Sequence, residues 1–148
     1  MKKSLLTSLA FAAITFMASC TKDDTTPAST WTLKGDTYKA TKTFYDAEEF
    51  SPYFTLIATD SKTGSACILF KQKPTEDSIY NVSLFPSDST VGALFVRNYD
   101  SSSYAAIRGK VSITIKNSRT IASFNEIALQ EGMSFDSSSS STGTLFEK

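Results

Sequence analysis

The chain is expected to fold as an all-β protein, an antiparallel β-sandwich or flattened barrel of roughly 8–10 strands. Three observations predict this. From Trp31 onward, apolar residues recur at every second position in short runs. Those runs are punctuated by Gly, Pro, Asn, Asp and Ser, and no stretch keeps a helical period. Aromatic residues make up 12% of the 148-residue chain and charged ones only 20%, enough apolar material for one core without disulfides or metals.

Residues 1–19 precede that fold and are of another kind. Met1-Lys2-Lys3 is followed by an almost wholly apolar block from Leu5 to Met17 and then by Ala18-Ser19-Cys20. The block spans 13 residues, too few to cross a hydrocarbon layer that needs about 20. It therefore fits the apolar core of a secretory signal. A cysteine directly after the small residues predicts a lipoprotein signal, with Cys20 acylated, palmitate being the expected type of chain, and made the first residue of the mature protein. Two or more acyl chains hold a protein stably on a membrane where one does so only marginally, so the lipid is the expected membrane partner. Cys20-Thr21-Lys22-Asp23-Asp24 resembles the export signal of lipoproteins in the Bacteroidota. That resemblance implies that Lys22, Asp23 and Asp24 direct the protein to the outer membrane, facing the extracellular side. Residues 20–29, rich in Thr, Ser and Asp, are expected to be a tether, and 30–148 a single domain.

Without Lys2 and Lys3 the chain carries 13 basic against 15 acidic side chains. Such a balance supplies no basic stripe for nucleic acid, and no nucleic-acid partner is expected.

Within the domain, Trp31 to Lys34 alternates, Gly35-Asp36 predicts a type II′ turn, and Thr37 to Phe44 resumes the alternation, placing Tyr38, Ala40 and Phe44 on the face of Trp31 and Leu33. Asp46 and Glu49 have capping-box spacing, which predicts one helical turn before Pro52. Tyr53–Asp60 and Ser65–Lys71 form a second hairpin, with Phe54, Leu56 and Ala58 facing Ala66, Ile68 and Phe70. Shorter strands are expected over Ile79–Phe85, Gly92–Asn98 and Ser103–Arg108. Val111, Ile113 and Ile115 alternate with polar residues, Asn117-Ser118 turns the chain, and Arg119–Leu129 returns it. There Phe124 and Ile127 fall out of step, which predicts a bulge near Asn125 and Glu126. Asp136–Ser141 is expected to be a polar loop and Gly143–Glu147 the last strand.

Taken together, Trp31-x-Leu33-x-Gly35-Asp36-Thr37-Tyr38-Lys39-Ala40, Ile68-x-Phe70 with Pro74, Ile79-Tyr80-x-Val82, and Gly109-x-Val111-x-Ile113-x-Ile115 with Phe124 resemble small surface lipoproteins of unknown function from the Bacteroidota. No catalytic residue comes with that resemblance.

The chain contains no histidine, which removes Ser-His and Cys-His nucleophile pairs and the commonest neutral-pH base. No catalytic residue, cofactor or metal is therefore expected. Cys67, in the apolar run Ala66–Phe70, is expected to be an inert buried thiol. Glu48, Glu49, Glu76, Asp77 and Glu126 are the carboxylates a glycosidase pair would have to draw on, and each lies among polar neighbours. The Asp-containing loops Ser87-Asp88-Ser89 and Tyr99-Asp100-Ser101 lack calcium-loop spacing. Binding is the better expectation. Tyr99 and Tyr104 flank a Ser-rich loop and are the candidate ligand-contact rings, expected at the surface to stack on a sugar or peptide. The predicted role is a non-enzymatic binding module for a glycan or protein partner. The alternatives are an assembly subunit of an envelope or fimbrial complex and, more remotely, a carboxylate-dependent glycosidase.

Overall fold

The computed structural model describes residues 26–46, 52–60, 64–97, 101–132 and 139–148. They form eleven strands and no helix: β1 Thr30–Leu33, β2 Asp36–Lys39, β3 Lys42–Asp46, β4 Phe54–Asp60, β5 Gly64–Phe70, β6 Ser78–Val82, β7 Thr90–Arg97, β8 Ser102–Arg108, β9 Lys110–Lys116, β10 Arg119–Glu131 and β11 Ser139–Phe146. All lie in one sheet of order β2-β1-β11-β10-β9-β6-β7-β5-β4-β3, with β8 bridging β7 and β10. The end strands β2 and β3 are continuous through Ala40 and Thr41, so the sheet curls back on itself as a flattened barrel. Every pairing is antiparallel except β6 with β7.

The two-residue period explains the interior. Leu56 and Ala58 stand opposite Ile68 and Ala66 as expected, and with Val91, Phe95, Val111, Ile113, Ile127, Leu129 and Leu145 they fill the barrel. Trp31 stacks on Tyr38, with ring centres 5.3 Å apart, and Phe95 meets Phe124 edge-on at 5.6 Å. One end is covered by Lys34, whose Nζ lies 2.6 Å from Glu131 and 5.0 Å from the centre of the Tyr104 ring.

Several details differ from the expectation. The first turn is Lys34-Gly35, both with positive φ, because Leu33 pairs with Asp36; that is a type I′ turn one residue earlier than predicted. The break at Ala40–Thr41 changes which face points inward, so Thr43 is buried and Phe44 lies on the outer surface at 42% exposure. Buried Thr43 is satisfied by Ser29, whose Oγ lies 2.7 Å from Thr43 Oγ1 and accepts the Phe146 N–H at 2.7 Å. Ser29 is thus part of the barrel rather than the end of a tether. Tyr45 and Asp46 belong to β3, and the rest of the expected helical turn, 47–51, lies outside the described residues. Ser139–Ser141, expected in a loop, begin β11.

Cys67 faces outward, half-buried in a cross-strand row of Phe44, Ile57, Cys67, Leu94 and Ala105. Burial there pushes its thiol up to about 11 from 9.0. Near pH 8 the folded thiol should therefore alkylate roughly 100-fold more slowly than in the denatured chain, followed by peptide mapping. Because the unfolded thiol ionises first, this group also makes the fold less stable as pH climbs from about 9 to about 11. Equal alkylation rates in folded and denatured protein would refute the burial argument.

Candidate functional site: a hydroxyl-lined groove at the β10 bulge

The predicted bulge shapes a concavity on the outer face of the sheet. Phe124 pairs with Gly143 and Ile127 with Ser141, so β10 spends one extra residue against β11. Glu126 takes a left-handed conformation, φ 50, and the outer surface of β2, β1, β11, β10 and β9 bends into a groove of about 560 Å3.

Its walls follow from the polar half of each strand's alternation. Thr30, Thr144, Ser123 and Ser112 stand directly opposite one another across four strands, with Thr32 and Thr37 paired beside them. Trp31 and Phe124 lie beneath, but at 1% and 4% exposure their rings belong to the core and offer no face to a ligand. The bulge orients the polar groups. Glu126 N–H donates to Thr142 Oγ1 at 3.0 Å, and the Thr142 hydroxyl donates to Asn125 Oδ1 at 3.2 Å. Thr32 Oγ1 accepts the Thr142 N–H at 3.1 Å. With its carbonyl engaged, Asn125 has an amide NH2 without a partner among the described residues. The hydroxyls of Thr30, Thr37 and Ser112 and the ammonium of Lys110 likewise have no side-chain partner there. The groove combines neutral donors and acceptors with one cation and no carboxylate. Such a lining suits a ligand dense in hydroxyls and oxygens.

A second cleft of about 440 Å3 lies at one end of the barrel, between residues 71–76 and the β6–β7 connection. Its lysines are paired internally, while Glu76 also lines it. Lys71 pairs with Asp88 at 3.0 Å, and Lys73 pairs with Glu147 at 2.7 Å while lying 4.3 Å over the Tyr45 ring. Tyr45 hydrogen-bonds Thr120 Oγ1 at 3.0 Å, and burial pushes its phenol up to about 12. These contacts close the barrel end and leave fewer free groups for a ligand than the groove does.

The structure corrects the candidate rings. Tyr104 is 1% exposed: the alternation of β8 turns it inward with Ala106, opposite Phe95 of β7, so it cannot stack on a ligand. Tyr99 lies outside the described residues, as do Cys20, Lys22, Asp23, Asp24, Glu48, Glu49 and Asp100. Of the remaining carboxylates, Glu76 lines the end cleft and Asp77 accepts the Ile115 N–H at 2.7 Å. Glu126 sits on the bulge, so the sheet does not gather these three at one place. No group of three or more acidic or cysteine side chains among the described residues could hold a metal ion.

Asn125, Lys110 and the hydroxyl row were missed by sequence reasoning. The broken alternation at Phe124–Ile127 was the signal pointing to the first of them. No family model, curated protein or solved structure matches the chain, so the chemistry of this groove is what a functional reading has to stand on.

Proposed function

We propose that the protein is a non-enzymatic glycan-binding module, anchored by lipid at Cys20 to the outer membrane and facing the extracellular side, with the β10 groove as its ligand site. The observation that carries this reading is the bulge-fixed arrangement of Asn125 and Thr142 beside the cross-strand row of Thr and Ser hydroxyls. Sugar hydroxyls both donate and accept, and a wall of hydroxyls with a free amide complements them without any one bond having to carry the affinity. The anchor is supported by the leader that ends just before Cys20 and by the acidic cluster after it.

Screening the folded domain on a glycan array tests the ligand. A bound oligosaccharide should lose about tenfold in affinity on Asn125→Ala, which removes two donors. A blank screen, or binding that Asn125→Ala leaves untouched, defeats the assignment. The anchor is tested separately by mass spectrometry of the protein from its native host, where an unmodified Cys20 would refute it.

A further inference from the structure

We infer that the glycan carries an anionic substituent, a carboxylate or a sulfate, seated on Lys110. This inference rests on the groove being a glycan site. Lys34, Lys71, Lys73 and Arg97 each have a carboxylate within 4.0 Å. Lys110 has none among the described residues, as is also true of Lys39, Lys42 and Lys116, but of these only Lys110 enters the groove, which no acidic side chain lines. It begins β9 directly after Gly109, while Asn125 follows Phe124, which pairs with Val111. The bulge thus sets the unpartnered ammonium and the unpartnered amide near each other, and this part of the groove is rich in N–H donors and poor in acceptors. A ligand that matches it brings oxygen acceptors with negative charge, and charge-assisted hydrogen bonds of that type are about twice as strong as neutral ones. The opposite part, lined by Thr30, Thr37 and Thr144, serves the neutral hydroxyls of the same chain.

Calorimetry with three probes decides the matter: a galacturonate tetrasaccharide, a sulfated galactan tetrasaccharide with no uronate, and neutral galactotetraose. The expected result is that at least one acidic probe binds about tenfold or more tightly than the neutral one, with a preference that shrinks as salt is raised. Lys110→Gln should erase the preference, read as the ratio of acidic to neutral affinity in the same protein. Which acidic probe wins separates carboxylate from sulfate. Neutral and acidic probes binding equally, or an acid preference that survives Lys110→Gln, overturns the inference while leaving the glycan site standing if Asn125→Ala still weakens binding. If none of the three probes binds and the glycan array is blank, the glycan reading fails and takes this inference with it. Lys110 is exposed, and an unchanged thermal transition confirms that each variant is folded.

Discussion

Trp31→Ala is expected to lower the unfolding free energy by about 3–5 kcal/mol, a large share of the 5–15 kcal/mol that holds a domain of this size together. Trp31 is among the largest fully buried side chains. It sits on β1, which joins β11 to β2 and so completes the circuit of strands. Its ring lies nearly parallel to Tyr38, with 7° between planes, and its main chain crosses Gly143 closely. A Cβ on that glycine would stand 2.8 Å from Trp31 Cβ and 2.5 Å from the Thr30 carbonyl oxygen. Alanine at position 31 leaves a hole between strands that cannot move together, because the ladders on both sides fix their spacing. The Trp31 Nε1–H is buried without a hydrogen-bond partner among the described residues, and such burial costs stability. Trp31→Phe removes the orphan donor along with part of the ring and should lose only about 1–2 kcal/mol. Denaturant unfolding followed by circular dichroism measures both variants. A loss below about 1 kcal/mol for alanine would show that this ring is not the closure of the barrel.

The hairpins, whose paired strands follow one another directly in the chain, were legible beforehand. Leu56 and Ala58 against Ala66 and Ile68, and Val111 and Ile113 before the Asn117-Ser118 turn, alternate so regularly that register follows from parity. The bulge was legible for the same reason, since Phe124 and Ile127 cannot both face inward from an unbroken strand. The bend at Ala40–Thr41 was not. Alternation persists from Tyr38 to Phe44, and only the partners Ser29 and Thr59, which accept the Ala40 and Thr41 N–H groups, show the strand passing from one neighbour to another. Tyr104 was misplaced because its Ser-rich flank resembles a loop, whereas its spacing to Ala106 already put it inside. The groove was the least legible feature. A threonine on the outer face of a strand is unremarkable in sequence, and the row arises only when β1 and β2 from the start of the domain meet β11 from its end. Pairings between such distant segments leave no local mark in the residues that make them.

Gly109→Ala is expected to cost about 2–4 kcal/mol and to disable the groove as well, because this position is where fold and site depend on the same atoms. Gly109 separates β8 from β9 at φ +136, a conformation that residues with a side chain rarely adopt. An added Cβ would lie 2.6 Å from Ile127 Cγ2 and 3.0 Å from Ile127 Cα. The second of these is main chain and cannot turn aside as a rotamer would. Relief requires the β8–β9 bend to move away from the β10 bulge, which carries Lys110 away from Asn125. Gly132→Ala is the matched control. Gly132 also has positive φ, +54, but nothing lies within 4 Å of its added Cβ, so alanine there meets conformational strain alone, about 1 kcal/mol. Denaturant midpoints of the two variants should therefore differ clearly, and ligand affinity measured under fully folded conditions should fall for Gly109→Ala only. Equal midpoints would mean that the contact with Ile127 relaxes freely. Full affinity in a folded Gly109→Ala protein would mean that the bulge and the bend do not act together to set the groove.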